Sequence, residues 1–339
     1  MDRFVLAGMG AGFTDGSLAD DRTTLLQFAA FVRRGLWVVQ PADVDAWLAD
    51  LRGQGLARST VYGRANTVAR FYAFVITRYE QEVQARTGWT VVQPVDEFNR
   101  PRRPHDGRVR VPPTTEEVTC LFDGWRAQAV QARKYLPAVR NYVMASLWRR
   151  AGLRINESVM LDVADWHPDL GGFGKLHVRF GKGSMGRGPK ARLVPGIDGV
   201  DALVAWWLTQ IRPRFGDDLH TPGVPMFPSE RRMPDGRPGR VSAARLRAAL
   251  AQTVTAHLPL WAGRLTPHGL RHFCASSLYE RGVDLKAIQE LLGHEWLATT
   301  SGYIHVRKEH IEQSWVRANT RVADRLGVGV GERPGCIGN

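Results

Sequence analysis

Four side chains near the C-terminal end could do chemistry on an anion. Within "TPHGLRHFCASSLYERGVDLKAIQELLGHEWLATTSGYIHV", Thr266 and Pro267 form a preferred N-cap and first-turn pair. His268 and Arg271 then lie three apart and share a face in the first turn. Backbone N–H groups are unpaired there and the helix dipole is positive, so a phosphate is a natural ligand. An exposed pair at a helix start explains the same residues locally. His268 and His272 lie four apart, as metal ligands do, but Gly269 stands where a zinc protease needs Glu and no third ligand follows. No metal or other cofactor is expected. Asp284 caps a second helix, Gly293 stops it, and His294 follows that stop directly. A short helix is expected over "TTSGY", with Tyr303 inside it; Gly302 weakens that helix by about 1 kcal/mol relative to alanine. Taken alone, Tyr303 reads as a half-buried core residue.

Several elements must hold these groups in place. Residues 17–34 carry apolar positions at helical spacing (Leu25, Leu26, Phe28, Ala29, Val32). "QPADVDAWLADLRGQG" gives a second helix, and "ARSTVYGRANTVARFYAFVITRYE" a third, capped by Ser59, with Arg58, Arg64, Arg70 and Arg78 among its polar positions. That third helix reads either as a solvated face or as one laid on DNA. "NRPRRPHDGRVRVPP" holds Arg100, Arg102, Arg103, Arg108 and Arg110 against one aspartate, with prolines that forbid a packed core. An exposed linker that tracks phosphates is expected. Thr114 and Glu117 then form a capping box, and Gly152 breaks a helical stretch into two. In "GKLHVRFGKGSMGRGPKARLVPG", Leu176, Val178 and Phe180 alternate with polar residues, which predicts a β-hairpin with an extended tip.

The 339 residues suffice for two domains, and 46 Lys+Arg against 33 Asp+Glu leave a formal charge of +13. That balance favours a polyanionic partner, nucleic acid first. No window approaches the roughly 18 unbroken apolar residues of a membrane span, so no membrane partner is expected. Cys120, Cys274 and Cys336 are odd in number and far apart, which fits a reducing cytoplasm.

The C-terminal stretch resembles the second signature of the tyrosine recombinases, the phage-integrase and Xer-like superfamily. The family's His-x-x-Arg falls on His268 and Arg271, its late histidine on His294 and its nucleophile on Tyr303. "LWRRAGLRINESVMLDVADW" is similar to the first signature, whose arginine is Arg154, with Glu157 in the usual place after it. The hairpin "FGKGSMGRGPKARLVP" resembles the one carrying the family's lysine, which makes Lys182 that residue and Lys190 its rival.

The resemblance implies a mainly α fold. A helical, SAM-like core-binding domain would occupy residues 1–98 and a basic linker residues 99–113. A mostly helical catalytic domain with a small antiparallel sheet would follow over residues 114–310, then a C-terminal helix and tail over 311–339. Little chain precedes the first helix, so the arm-binding domain of some integrases is expected to be missing. In the tail, Ile311, Trp315, Val322 and Leu326 form an apolar stripe, for packing on its own domain or docking on a neighbour.

The implied reaction is site-specific cutting and rejoining of DNA. Tyr303 attacks phosphorus, Arg154 and Arg271 hold the nonbridging oxygens, and Lys182 protonates the departing 5′ oxygen. His268 assists proton transfer at Tyr303, and His294 hydrogen-bonds the phosphate. The implied partners are a double-stranded recombination site and a homotetramer on two duplexes. Alternatives are a DNA-binding relative without catalysis and a type IB topoisomerase.

Overall fold

The computed structural model describes residues 1–102, 111–181 and 190–293. Lys182, His294, Tyr303, Arg103, Arg108, Arg110, the "TTSGY" helix and the tail stripe lie outside the described residues. The described chain divides into two compact units, residues 1–102 and residues 111–181 with 190–293.

The first unit is built from four helices, α1 (Asp2–Gly10), α2 (Asp15–Val32), α3 (Pro41–Gly53) and α4 (Arg58–Thr87). Thr14 caps α2, and Pro41 opens α3, where the Asp43 carboxylate accepts the Gln40 N–H at 2.8 Å. Leu25, Phe28, Val44, Trp47, Leu51, Val68 and Tyr72 face one another in the core, with the Phe28 and Trp47 rings edge to face at 4.8 Å. The apolar, glycine-rich start is a helix, α1, whose Phe4 packs on Phe71 and Phe74. One expectation is corrected. Ser59 is not the cap of α4; the helix begins at Arg58 with Ala57 as N-cap. A 30-residue helix with a packed face does not depend on one capping hydrogen bond.

The second unit is mostly helical around two small sheets. It contains α5 (Thr115–Gln131), α6 (Tyr135–Arg150), α7 (Ile155–Met160), α8 (Val200–Trp206), α9 (Ala243–His257), α10 (Pro267–Glu280) and α11 (Leu285–Leu292). Strands β1 (Trp166–His167), β2 (Lys175–Gly181) and β3 (Lys190–Pro195) form an antiparallel sheet in that order; β4 (Pro228–Arg232) and β5 (Pro238–Arg240) pair separately. The Thr114–Glu117 capping box is present, with reciprocal bonds of 2.8 and 3.2 Å. Leu147, Trp148, Leu270, Cys274, Leu278, Ile288 and Leu292 join α6, α10 and α11 in one core.

The hairpin departs from simple alternation. Leu176 and Val178 are buried, but Phe180 points outward and is 42% exposed. The pairing register shifts between Val178 and Gly181, so an irregularity turns the end of β2 over. Gly181 faces inward against the Lys190 carbonyl, where a Cβ would overlap that oxygen.

Candidate active site

The break between α6 and α7 creates the first half of the site. Gly152 adopts φ +60°, which glycine alone takes without strain, and a Cβ there would collide with Leu292. Two residues on, Arg154 is the N-cap of α7 in extended conformation. Its backbone N–H donates to Glu157 Oε2 at 2.9 Å and its Nη1 donates to Glu157 Oε1 at 2.6 Å. The Glu157 carboxylate that caps the start of α7 therefore also holds a guanidinium.

The second half comes from α10. Thr266 caps it as expected, accepting the Gly269 N–H at 3.2 Å, with Pro267 in the first position. His268 lies exposed in the first turn, its ring edge-on to that of His272 at 4.8 Å between centroids. Arg271, one turn on, is wholly buried. Its Nη1 donates to the Gly152 carbonyl, its Nη2 donates to the Leu292 carbonyl at 2.6 Å, and Nη1 lies 4.0 Å from Glu157 Oε2. Arg154 and Arg271, 117 positions apart, thus converge on one carboxylate. Asp284 and Gly293 bound α11 as the sequence implies: Asp284 accepts from Lys286 and Ala287, and Gly293 adopts φ +66°.

A third arginine, not singled out in the sequence, completes the cluster. Arg192 on β3 donates from Nη1 and Nη2 to both Glu157 oxygens, each at 2.9 Å, and from Nε to the Leu291 carbonyl at 2.9 Å. Burial alone would raise the Glu157 carboxyl. The paired hydrogen bonds and charge of Arg192, with the charge and backbone N–H of Arg154, overcome this and hold it at about 2. A signal for Arg192 existed: it sits two residues before buried Val194, on the same face of β3. Lys190 opens β3 opposite Gly181 and is exposed. Among the described residues, no group of three or more His, Cys, Asp or Glu side chains is placed to hold a metal ion. No described helix is long and apolar enough to cross a membrane.

A family model described as the phage integrase family matches residues 127–310, more than half of the chain. The chain belongs to the phage integrase family. Within this family of tyrosine recombinases it is similar to the tyrosine recombinase XerC of Mycobacterium tuberculosis, 30% identical over 302 residues, covering 89% of this chain and 90% of the relative. It is also similar to the tyrosine recombinase XerD of Caulobacter vibrioides, 31% identical over 270 residues, covering 79% and 77%. Two solved structures share the fold. One is the XerH site-specific recombinase bound to its palindromic difH substrate, with TM-score 0.66 and 19% identity, covering 88% of this chain and 78% of that one. The other is a lambda integrase dimer bound to a COC′ core site, with TM-score 0.60 and 17% identity, covering 91% and 94%.

The first unit of this integrase-family chain holds the described arginines that the sequence offers for DNA contact. Arg58, Arg100 and Arg102 are exposed and Arg64 is half-buried. Arg58 and Arg102 line a hollow together with Arg52, which the sequence reading passed over, and with Leu56, Val61 and Pro101. Arg70 is placed differently. Its Nη2 donates to both oxygens of buried Asp21 at 2.7 Å, and Thr67 donates to the same carboxylate at 2.8 Å. The Arg70 guanidinium also lies over the Phe13 ring at 5.1 Å. Its principal partner is inside its own unit.

Proposed function

We infer that this chain is a site-specific DNA recombinase that cuts and rejoins strands through a 3′-phosphotyrosyl link on Tyr303. The observation that carries the reading is the convergence of Arg154 and Arg271, from separate elements, on Glu157. The ordered sequence set of Arg154, Lys182, His268, Arg271, His294 and Tyr303 supports it.

A phosphodiester resists attack because its nonbridging oxygens are negative and its leaving alkoxide is poor. Two guanidiniums, planar and permanently charged, answer the first difficulty. Their stabilisation grows as the transition state gathers charge, which lowers the barrier. Tyr303 is the nucleophile, His268 serves proton transfer there, Lys182 donates a proton to the departing 5′ oxygen, and His294 hydrogen-bonds the phosphate. Lys190 stands as the rival for the lysine role. The tyrosyl ester keeps the energy of the broken bond, so a 5′ hydroxyl from another strand reverses the step without nucleoside triphosphate. Double-stranded DNA is the substrate, gripped in part by Arg52, Arg58, Arg64, Arg100 and Arg102, and two duplexes would be joined by a homotetramer.

The test is a duplex nicked beside the cleavage position, so that the cut fragment diffuses away. With EDTA present, the wild-type chain should accumulate a covalent protein–DNA adduct that resists SDS. Tyr303→Phe should form none. An adduct that persists in the Phe variant rejects the nucleophile assignment, and a wild-type chain that binds DNA yet forms no adduct rejects the enzymatic reading.

A further inference from the structure

The Glu157 carboxylate lies between three guanidiniums, and these do not contact it equally. Arg192 makes two parallel hydrogen bonds to it at 2.9 Å, Arg154 one side-chain bond at 2.6 Å, and Arg271 stands off at 4.0 Å. The Glu157 side chain is 1% exposed and that of Arg192 9%, so water screens little of this interaction. A bidentate arginine–carboxylate pair is the strongest and most directional of these contacts. Among the described residues, these three guanidiniums and one carboxylate leave two positive charges in excess. Without Arg192 only one would remain, and both Glu157 oxygens would draw Arg154 and Arg271 inward.

Arg192 is also fixed from a second side. Its Nε bonds the Leu291 carbonyl at the end of α11, and Gly293 leaves room for it: a Cβ there would stand 2.9 Å from Arg192 Cδ and 3.1 Å from Nε. The neighbouring Leu292 carbonyl accepts from Arg271. One side chain on β3 therefore ties together the N-cap of α7, the C-terminal end of α11 and the strand that leads back to the hairpin tip.

We propose that Arg192 is a positioning residue for strand transfer: by neutralising Glu157 it keeps the charge of Arg154 and Arg271 directed at the scissile phosphate. The proposal rests on the recombinase reading above. It assigns Arg192 no contact with DNA; its effect runs through Glu157.

The experiment measures single-turnover adduct formation on the nicked duplex, DNA affinity by anisotropy, and melting temperature for each variant. If the wild-type chain forms no adduct, the recombinase reading fails before Arg192 is tested. With wild type active, Arg192→Gln should slow adduct formation about 100-fold, the scale of one lost transition-state donor, with DNA affinity little changed. Arg192→Lys should fall between, because an ammonium keeps the charge but not the fork. Glu157→Gln added to Arg192→Gln should recover at least about tenfold of the lost rate, since the charge that misdirects the two arginines is then gone. A purely structural role predicts further loss in the double variant. Wild-type rates in Arg192→Gln, or no recovery in the double variant, overturn the proposal. Should Arg192→Gln fail to fold, the double variant decides by itself, because removing both members of a buried pair is tolerated better than removing one. Folded but still about 100-fold slow, it too overturns the proposal.

Discussion

Glu157 is the carboxylate on which Arg154, Arg192 and Arg271 converge. Its folded-state value of about 2 lies below the usual 4.5, so it binds its proton less readily when folded. The stability it adds is complete above about pH 4.5 and is lost as pH falls toward 2. At 1.36 kcal/mol per pH unit, the full contribution is roughly 3 kcal/mol. Urea unfolding at pH 5 and pH 3 should show a larger loss in wild type than in Glu157→Gln, whose difference between the two pH values lacks this contribution. Equal losses would show that Glu157 does not titrate across that window. Cys274 makes a second residue-scale case. Burial pushes its thiol up to about 12, whereas Cys120 is exposed. In a Cys336→Ser background, a thiol reagent should modify one cysteine quickly and the second only on unfolding.

At the scale of elements, α7 is the informative one. Six residues are too few for a helix to persist on propensity. It is held at both ends instead, by Glu157 and Arg154 at the start and by Arg240 at the finish. Arg240 Nη1 donates to the Val159 and Leu161 carbonyls at 3.3 and 3.0 Å, while its Nη2 reaches Asp162. Arg179, from β2, also pairs with Asp162 and Asp165. The C-terminal end of α7 is thus fixed by tertiary contacts, and Arg192 holds its start through Glu157. The β2–β3 hairpin offers the corresponding prediction. Gly181→Ala would press a methyl group into the Lys190 carbonyl, and overpacking of this kind costs about 1–3 kcal/mol. The variant should melt several degrees lower and cleave more slowly, while its DNA affinity stays near wild type; an unchanged melting temperature would refute the close approach.

At the scale of the whole molecule, the charge of +13 predicts DNA binding that weakens steeply with salt. The arginines should separate into two classes. Arg58→Ala should lower affinity for all sequences and reduce the salt slope by about 1. Arg70→Ala should instead destabilise the first unit, because it strips the charged partner from buried Asp21 and leaves that carboxylate the Thr67 hydroxyl. Anisotropy titrations across a salt series, paired with melting curves, distinguish the two outcomes. A change in salt slope for Arg70→Ala without loss of stability would reverse this assignment.

Much of this molecule was legible along the chain because the signals were local. Helical periodicity placed α2, the Thr266–Pro267 pair started α10, the Thr114–Glu117 box started α5, and Asp284 and Gly293 bounded α11, since a cap and its helix lie within a few residues. Local signals also misled: Ser59 lies inside α4, and Phe180, in step with Leu176 and Val178, points outward past the register shift. The family and the ordered candidate residues followed from the resemblance of two signatures and a hairpin to those of the tyrosine recombinases. Partner choice did not. Arg70 binds Asp21 from 49 positions away, Arg192 binds Glu157 from 35 and Leu291 from 99. A charged side chain selects among many opposite charges by proximity and burial, and only the folded backbone decides which are near and how little water remains between them.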